Sequence, residues 1–176
     1  MITLFSIDPG ESESGWILLD VDTINKKIMI IDRYHSVNKD IFKIILKFSV
    51  TNPRIIIVIE DIVSYGMAIG QTTIETIKYI GRFHQKALDL NLKNIYFIDR
   101  PSIKLNLCHN RTAKDGNVIR SLKNRFGEFG TIKNQQPLYK LKGMPSGMLN
   151  HVWSALALSI AFINITYDEK HEFKLI

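Results

Sequence analysis

Met1-Ile2-Thr3-Leu4-Phe5-Ser6-Ile7-Asp8-Pro9-Gly10 decides how the rest of this sequence is read. Positions 2–7 are mostly apolar and rich in strand formers, and they stop at an acid, a proline and a glycine. A short buried strand closed by a turn reads this way. Asp8 then has two readings. It opens the turn at Pro9-Gly10, or it is the first anchor of a metal site. The second arises because a carboxylate at the tip of a core strand is costly to desolvate unless a cation or hydrogen-bond donors meet it.

The pattern recurs. Ile55-Ile56-Ile57-Val58-Ile59 is a continuous apolar run that ends at Glu60-Asp61. Continuous runs mark strands buried on both faces, which implies helices on both sides of the sheet. If the two strands pair in parallel, Asp8 and Glu60 lie side by side with backbones about 4.8 Å apart. Carboxylates so placed repel unless a cation sits between them. Oxygen ligands of this kind suit Mg²⁺ or Mn²⁺. Two such ions would activate water on one side of a phosphodiester and stabilise the leaving oxygen on the other.

The other elements follow from periodicity and turn residues. Strands at 15–20 and 27–34, joined by a turn at 22–25, extend the first strand into an antiparallel meander. A helix over 40–50 is stopped by Pro53, and 62–70 reads as a loop. A long helix over 72–90 and a fifth strand at 94–98 come next, then a short helix at 102–107. Thr112, with Asp115 three residues on, predicts the N-cap of a helix ending at Phe126. Residues 127–147 read as a loop. The last helix, 148–165, is apolar on nearly every face and so packs against the sheet. The fold class is α/β, a five-stranded mixed sheet flanked by helices on both faces. One domain covers 1–166, and a charged tail, 167–176, is expected to fray.

A chain of 176 residues with 45% hydrophobic and 23% charged content suits one globular domain with a sizeable core. The lone cysteine, Cys108, excludes an internal disulfide framework and fits a reducing compartment. No apolar run reaches the roughly 20 residues that span a bilayer. Nothing basic precedes the first strand, so neither a secretory signal nor a membrane partner is expected. Net charge is +6 and unevenly placed. Residues 99–142 hold ten Lys/Arg against three acids, whereas the remainder holds thirteen against fourteen. Such a concentration is the footprint of a polyanion-binding surface, or else of a solvated basic helix. Lys104, Arg111, Lys114, Arg120 and Lys123 are the phosphate-contact candidates.

In the last helix, His151 and Ser154 are three apart and share a face within Asn150-His151-Val152-Trp153-Ser154-Ala155-Leu156-Ala157-Leu158. A lone histidine on an apolar helix is commonly a core residue. The two strand-end acids turn it into a ligand candidate.

Taken in order, these stretches resemble the RuvC family of Holliday-junction resolving endonucleases, and its bacteriophage-type members in particular. Ile7-Asp8-Pro9-Gly10 is similar to the family's opening motif with its metal-binding Asp, and Val58-Ile59-Glu60 to the strand carrying its Glu. Ser154-Ala155-Leu156-Ala157-Leu158-Ser159-Ile160 is similar to the closing Asp-Ala-Leu-Ala motif, whose helix bears two ligands three apart. His151 falls on the first of those, where Asp or His would serve. Ser154 departs from the pattern, which has Asp there.

The resemblance implies an RNase H-like fold and structure-selective cleavage of four-way (Holliday) and other branched DNA. It implies Mg²⁺ or Mn²⁺, two ions per site, held by Asp8, Glu60 and His151 as the catalytic set, with Asp61 and Ser154 as auxiliaries. It also implies a homodimer, with helix 72–90 as the interface candidate, working in the cytoplasm, that of the host cell if the source is viral. Lys114 would face DNA, and Tyr65 or Met67, in the loop after Glu60, would wedge against bases. Three rivals stand beside this reading. One is a branched-DNA-binding protein that has lost catalysis at Ser154. Another is a ribonuclease H acting on hybrids. The third is a nucleotide-binding member of the actin and sugar-kinase superfamily, which needs two such domains and a longer chain.

Overall fold

The structure, a computed structural model, describes residues 1–64, 66, 68–126, 148–167 and 173–175, and of 148–150 the backbone alone. Three antiparallel strands open the chain, β1 (Ile2–Asp8), β2 (Glu13–Asp22) and β3 (Lys27–Val37). The β2–β3 turn forms because Asp22 accepts the amides of Ile24 and Asn25, each at 3.0 Å. Helix α1 (Asn38–Thr51) crosses over to β4 (Ile56–Asp61), which pairs in parallel with β1. Helix α2 (Gln71–Asp89) leads to β5 (Ile95–Asp99), parallel to β4. Helices α3 (Arg100–Cys108), α4 (Asp115–Phe126) and α5 (Met148–Tyr167) follow, then β6 (Lys174–Leu175).

The sheet order is β5-β4-β1-β2-β3-β6. It has six strands rather than five, because two residues of the tail expected to fray pair in parallel with β3. The physical reason is Phe173, an aromatic residue in a charged stretch, which is only 2% exposed and lies under the Lys26 ammonium.

Strand alternation sorts the core into two layers. Leu4, Ile17, Leu19, Ile56 and Val58 face α3, α4 and α5. Phe5, Ile7, Trp16, Ile57 and Ile59 face α1 and α2. Helix α5 is apolar all round because its faces meet both the sheet and the helices beside it. Its register on the sheet is set by a buried pair, the Ser159 hydroxyl donating to Ser6 Oγ at 2.7 Å.

Helix α4 begins at Asp115 rather than after Thr112. Thr112 is drawn backward instead, its amide and hydroxyl both donating to Asn110 Oδ1 at 2.9 Å. Helix α3 begins earlier than its periodicity suggests, since Asp99 caps it through the Ser102 amide and Pro101 occupies its first turn.

Candidate active site

Asp8 and Glu60 stand one step beyond the Ile7–Ile59 pair at the ends of two neighbouring parallel strands. Alternation puts both on the α5 side of the sheet, and each side chain is 13% exposed. The turn that ends β1 is locked from below by Asn38. Its amide group donates to the Gly10 carbonyl at 2.9 Å, and its Oδ1 accepts the Ser14 hydroxyl at 2.6 Å. Gly10 has no room for a side chain, because a Cβ there would meet the Glu13 carbonyl at 2.3 Å.

His151 reaches Asp8 from α5, with Nδ1 2.7 Å from Oδ2. Bonded to a carboxylate oxygen, Nδ1 carries the hydrogen, and the lone pair of the neutral ring is left on Nε2. The bond to Asp8 raises the His151 pKa above its ordinary value, against the effect of burial. On its other side the ring lies parallel to His35, with centroids 4.9 Å apart and planes within 2°.

Glu60 has a partner that sequence reasoning counted only as part of the basic segment. Arg100 donates to Glu60 Oε2 at 3.1 Å and to Asp115 Oδ1 at 3.0 Å, and Lys104 closes on the same Asp115 oxygen at 3.2 Å. The signal was topological. Arg100 directly follows β5, and β5 runs parallel to β4, so its end emerges at the edge that carries Glu60. Even with Arg100 beside it, the Glu60 carboxyl is pushed up to about 8, first by burial and then by the Asp8 charge. Asp115 sits below its usual range: burial opposes this, but its bonds to Arg100 and Lys104 prevail.

Two hard-oxygen donors and one imidazole nitrogen are the right chemistry for Mg²⁺ or Mn²⁺. Burial and the Asp8 charge make ionised Glu60 costly even with Arg100 beside it, a cost that a cation would relieve. Among the described residues, however, no three of His, Cys, Asp and Glu converge on one point that would hold an ion. Asp8 is engaged with His151 and Glu60 with Arg100. The donor set fits, and an ion would enter by exchanging those partners.

Ser154 is half-buried and, with Arg100, Asp115 and Trp153, lines a cleft of about 290 Å³. Asp61 follows Glu60 and so belongs to the α1/α2 side, where its carboxylate accepts the Ile62 amide at 2.9 Å. Arg111, Lys114 and Arg120 are exposed, Lys123 is half-buried, and Lys104 is committed to Asp115. Tyr65 and Met67 lie outside the described residues, as does 127–147, which carries part of the basic excess.

No family model and no curated protein sequence matches this chain. Solved structures do. Thermus thermophilus RuvC, at 16% sequence identity, aligns over 91% of this chain and 92% of its own with a TM-score of 0.62. The chain has the RuvC fold. The structure of T. thermophilus RuvC in complex with a Holliday junction substrate gives the same answer, with 14% identity, 92% of both chains covered and a TM-score of 0.64. A Fowlpox virus resolvase bound to Holliday junction DNA aligns at a TM-score of 0.49, with 16% identity over 93% of this chain and 98% of its own. The RuvC fold accounts for the two-sided core and for the delivery of Asp8, Glu60 and His151 to one edge of the sheet. No helix among the described residues is long and apolar enough to cross a membrane.

Proposed function

We propose that this protein is a divalent-cation-dependent endonuclease that hydrolyses phosphodiesters in branched DNA, four-way junctions foremost, leaving a 5′ phosphate. One observation carries the reading. Two strand-end carboxylates face the same helix, and the second is displaced to about 8 by burial and by the first. A site that penalises its own negative charge suits a cation, and two cations of the basic segment, Arg100 and Lys104, stand at it on Glu60 and Asp115.

Asp8, Glu60 and His151 Nε2 would hold Mg²⁺ or Mn²⁺, two per site, which when bound supply charge stabilisation for the scissile phosphate and a water acidic enough to attack it. The chain's own residues do the rest. Ionised Glu60 is required, so loss of its proton accompanies loading of the site. His151 is oriented by Asp8 through Nδ1, which leaves Nε2 free to ligate or to take the proton of the attacking water. Arg100, released from Glu60, stays anchored on Asp115 and offers its guanidinium to the phosphate. Arg111, Lys114 and Arg120 hold the flanking backbone, with Lys104 and Lys123 behind them, and Tyr65 or Met67 meets the branch point. Ser154, in the cleft shared with Arg100 and Asp115, serves as an auxiliary rather than as a direct ligand, whereas Asp61, proposed beside it from the sequence, is turned to the opposite face of the sheet. Symmetric cuts on two strands require two sites related by a two-fold, hence a homodimer. Helix α2, which exposes Ile74 and Ile77, is the face for it. The working compartment is the cytoplasm.

A second reading has its own observation. Ser154 brings no carboxylate, and Asp8 and Glu60 are already partnered, which suits a protein that binds branched DNA without cutting it. A two-stage gel assay separates the two. Preference for a four-way junction over linear duplex is measured without divalent cation, and Mg²⁺ or Mn²⁺ is then added. Junction preference followed by cleavage that Asp8→Asn abolishes supports the endonuclease. Preference without cleavage in either cation selects the binding protein, and no preference rejects both.

A further inference from the structure

Cross-strand pairing aligns Asp8 with Gly15 and Gly15 with His35, a row running across β1, β2 and β3 on the α5 side. His151 descends onto the middle of that row. Gly15 leaves the space for it, since a Cβ there would stand 2.4 Å from the His151 carbonyl and 2.6 Å from its Cβ. The imidazole is therefore held between two flanks, with the Asp8 carboxylate at Nδ1 on one side and the His35 ring on the other.

We infer that His35 is a positioning residue whose ring face, rather than its nitrogens, fixes the plane of the His151 imidazole. A histidine ring turns about a broad, nearly two-fold torsion. One hydrogen bond at Nδ1 anchors an edge of the ring but lets the plane rock about that anchor. A parallel ring in offset-stacked contact removes that freedom. Both together determine where Nε2 lies, and under the proposed function, on which this inference rests, Nε2 is the working atom.

His35 has no other evident use. It is 7% exposed, and neither ring nitrogen has a hydrogen-bond partner among the described residues. The Glu13 carboxylate stands 3.9 Å from Nδ1, too far for a hydrogen bond. A cleft of about 450 Å³ lies alongside, lined by His35, His151, Thr72 and Thr76, yet the His35 nitrogens are shut off from solvent and so from that cleft. A hydrogen-bonding or ligand-holding role would need at least one of them open.

The test compares His35→Phe and His35→Ala with the parent chain. The imidazole nitrogens of His151 are followed by long-range ¹H–¹⁵N spectra, alongside kcat and KM for junction cleavage and junction affinity without cation. His35→Phe keeps the flat face, so the Nδ1–H form of His151 persists and kcat stays within about twofold of the parent. His35→Ala frees the ring, so the His151 nitrogen shifts average, and kcat falls by about tenfold or more with KM and cation-free affinity unchanged. Should His35→Ala fail to fold, His35→Leu fills the volume without a flat face and carries the same expectation. Parent-like His151 shifts in the Ala or Leu variant overturn the inference. So does a loss in His35→Phe as large as in His35→Ala, which would mean that the nitrogens matter. If the parent cuts no junction, the functional reading fails on its own, and the nitrogen shifts alone decide the positioning role.

Discussion

Glu60→Gln should stabilise the cation-free protein at alkaline pH. Burial and the Asp8 charge push the Glu60 carboxyl from its ordinary 4.5 up to about 8 in the fold. A group displaced upward favours the fold fully below the lower value and loses that contribution as pH climbs, the loss being complete above about 8. The gap of about 3.5 pH units, at about 1.4 kcal/mol each, sets a ceiling of about 5 kcal/mol. Relaxation and water at a side chain that is 13% exposed reduce this to about 1–3 kcal/mol. Glutamine keeps the volume and an oxygen for Arg100 while carrying no charge. For a chain of this size the gain is about 3–9 °C in Tm.

The assay is thermal unfolding of both proteins in chelator from pH 5 to pH 9. His151, whose pKa is also raised, contributes a slope of the same sign. It is present in both proteins, so their difference isolates Glu60. The curves should meet near pH 5 and separate towards pH 8.5 with the variant above, and millimolar Mg²⁺ should lift the parent but not the variant. Equal Tm values at pH 8.5 without cation, or a less stable variant, would refute the claim that ionised Glu60 is costly at this site.

Three further outcomes follow from the same geometry. Gly15→Ala forces a Cβ into the His151 backbone and should cost about 1–3 kcal/mol in urea unfolding while abolishing cleavage. Cleavage should rise with pH towards a midpoint at or below about 8 as Glu60 ionises, with more cation moving the midpoint down and Arg100→Gln, which removes a stabilising charge, moving it up in a pH–rate profile. Ser154→Asp adds a carboxylate to the cleft shared with Arg100 and Asp115 and should tighten Mn²⁺ binding several-fold by titration calorimetry. An unchanged affinity would show that position 154 does not face the ion.

Much of this arrangement is legible in the sequence because it rests on local signals. The apolar runs before Asp8 and Glu60 declare buried strands, and an apolar helix near the end must pack against them. The partners of those residues were hidden because they depend on register. Counting back from the Asp22–Lys27 pair places Tyr34 opposite Gly15, but a bulge between Leu18 and Leu19 shifts the strand by one and puts His35 there instead. No residue type in that stretch announces the bulge. Arg100 was visible as a charge but not as the partner of Glu60, since that contact needs β4 and β5 to be adjacent and parallel. In the tail, the charged composition concealed one decisive aromatic residue, Phe173.

The most direct test of the central claim is nick mapping on a labelled four-way junction and a matched linear duplex, in Mg²⁺ and in Mn²⁺, with Glu60→Gln in parallel. Paired nicks at symmetric positions in the junction, absent from the duplex and lost in Glu60→Gln, are the predicted result. Intact junctions in both cations, under conditions where the protein is bound to them, would contradict it.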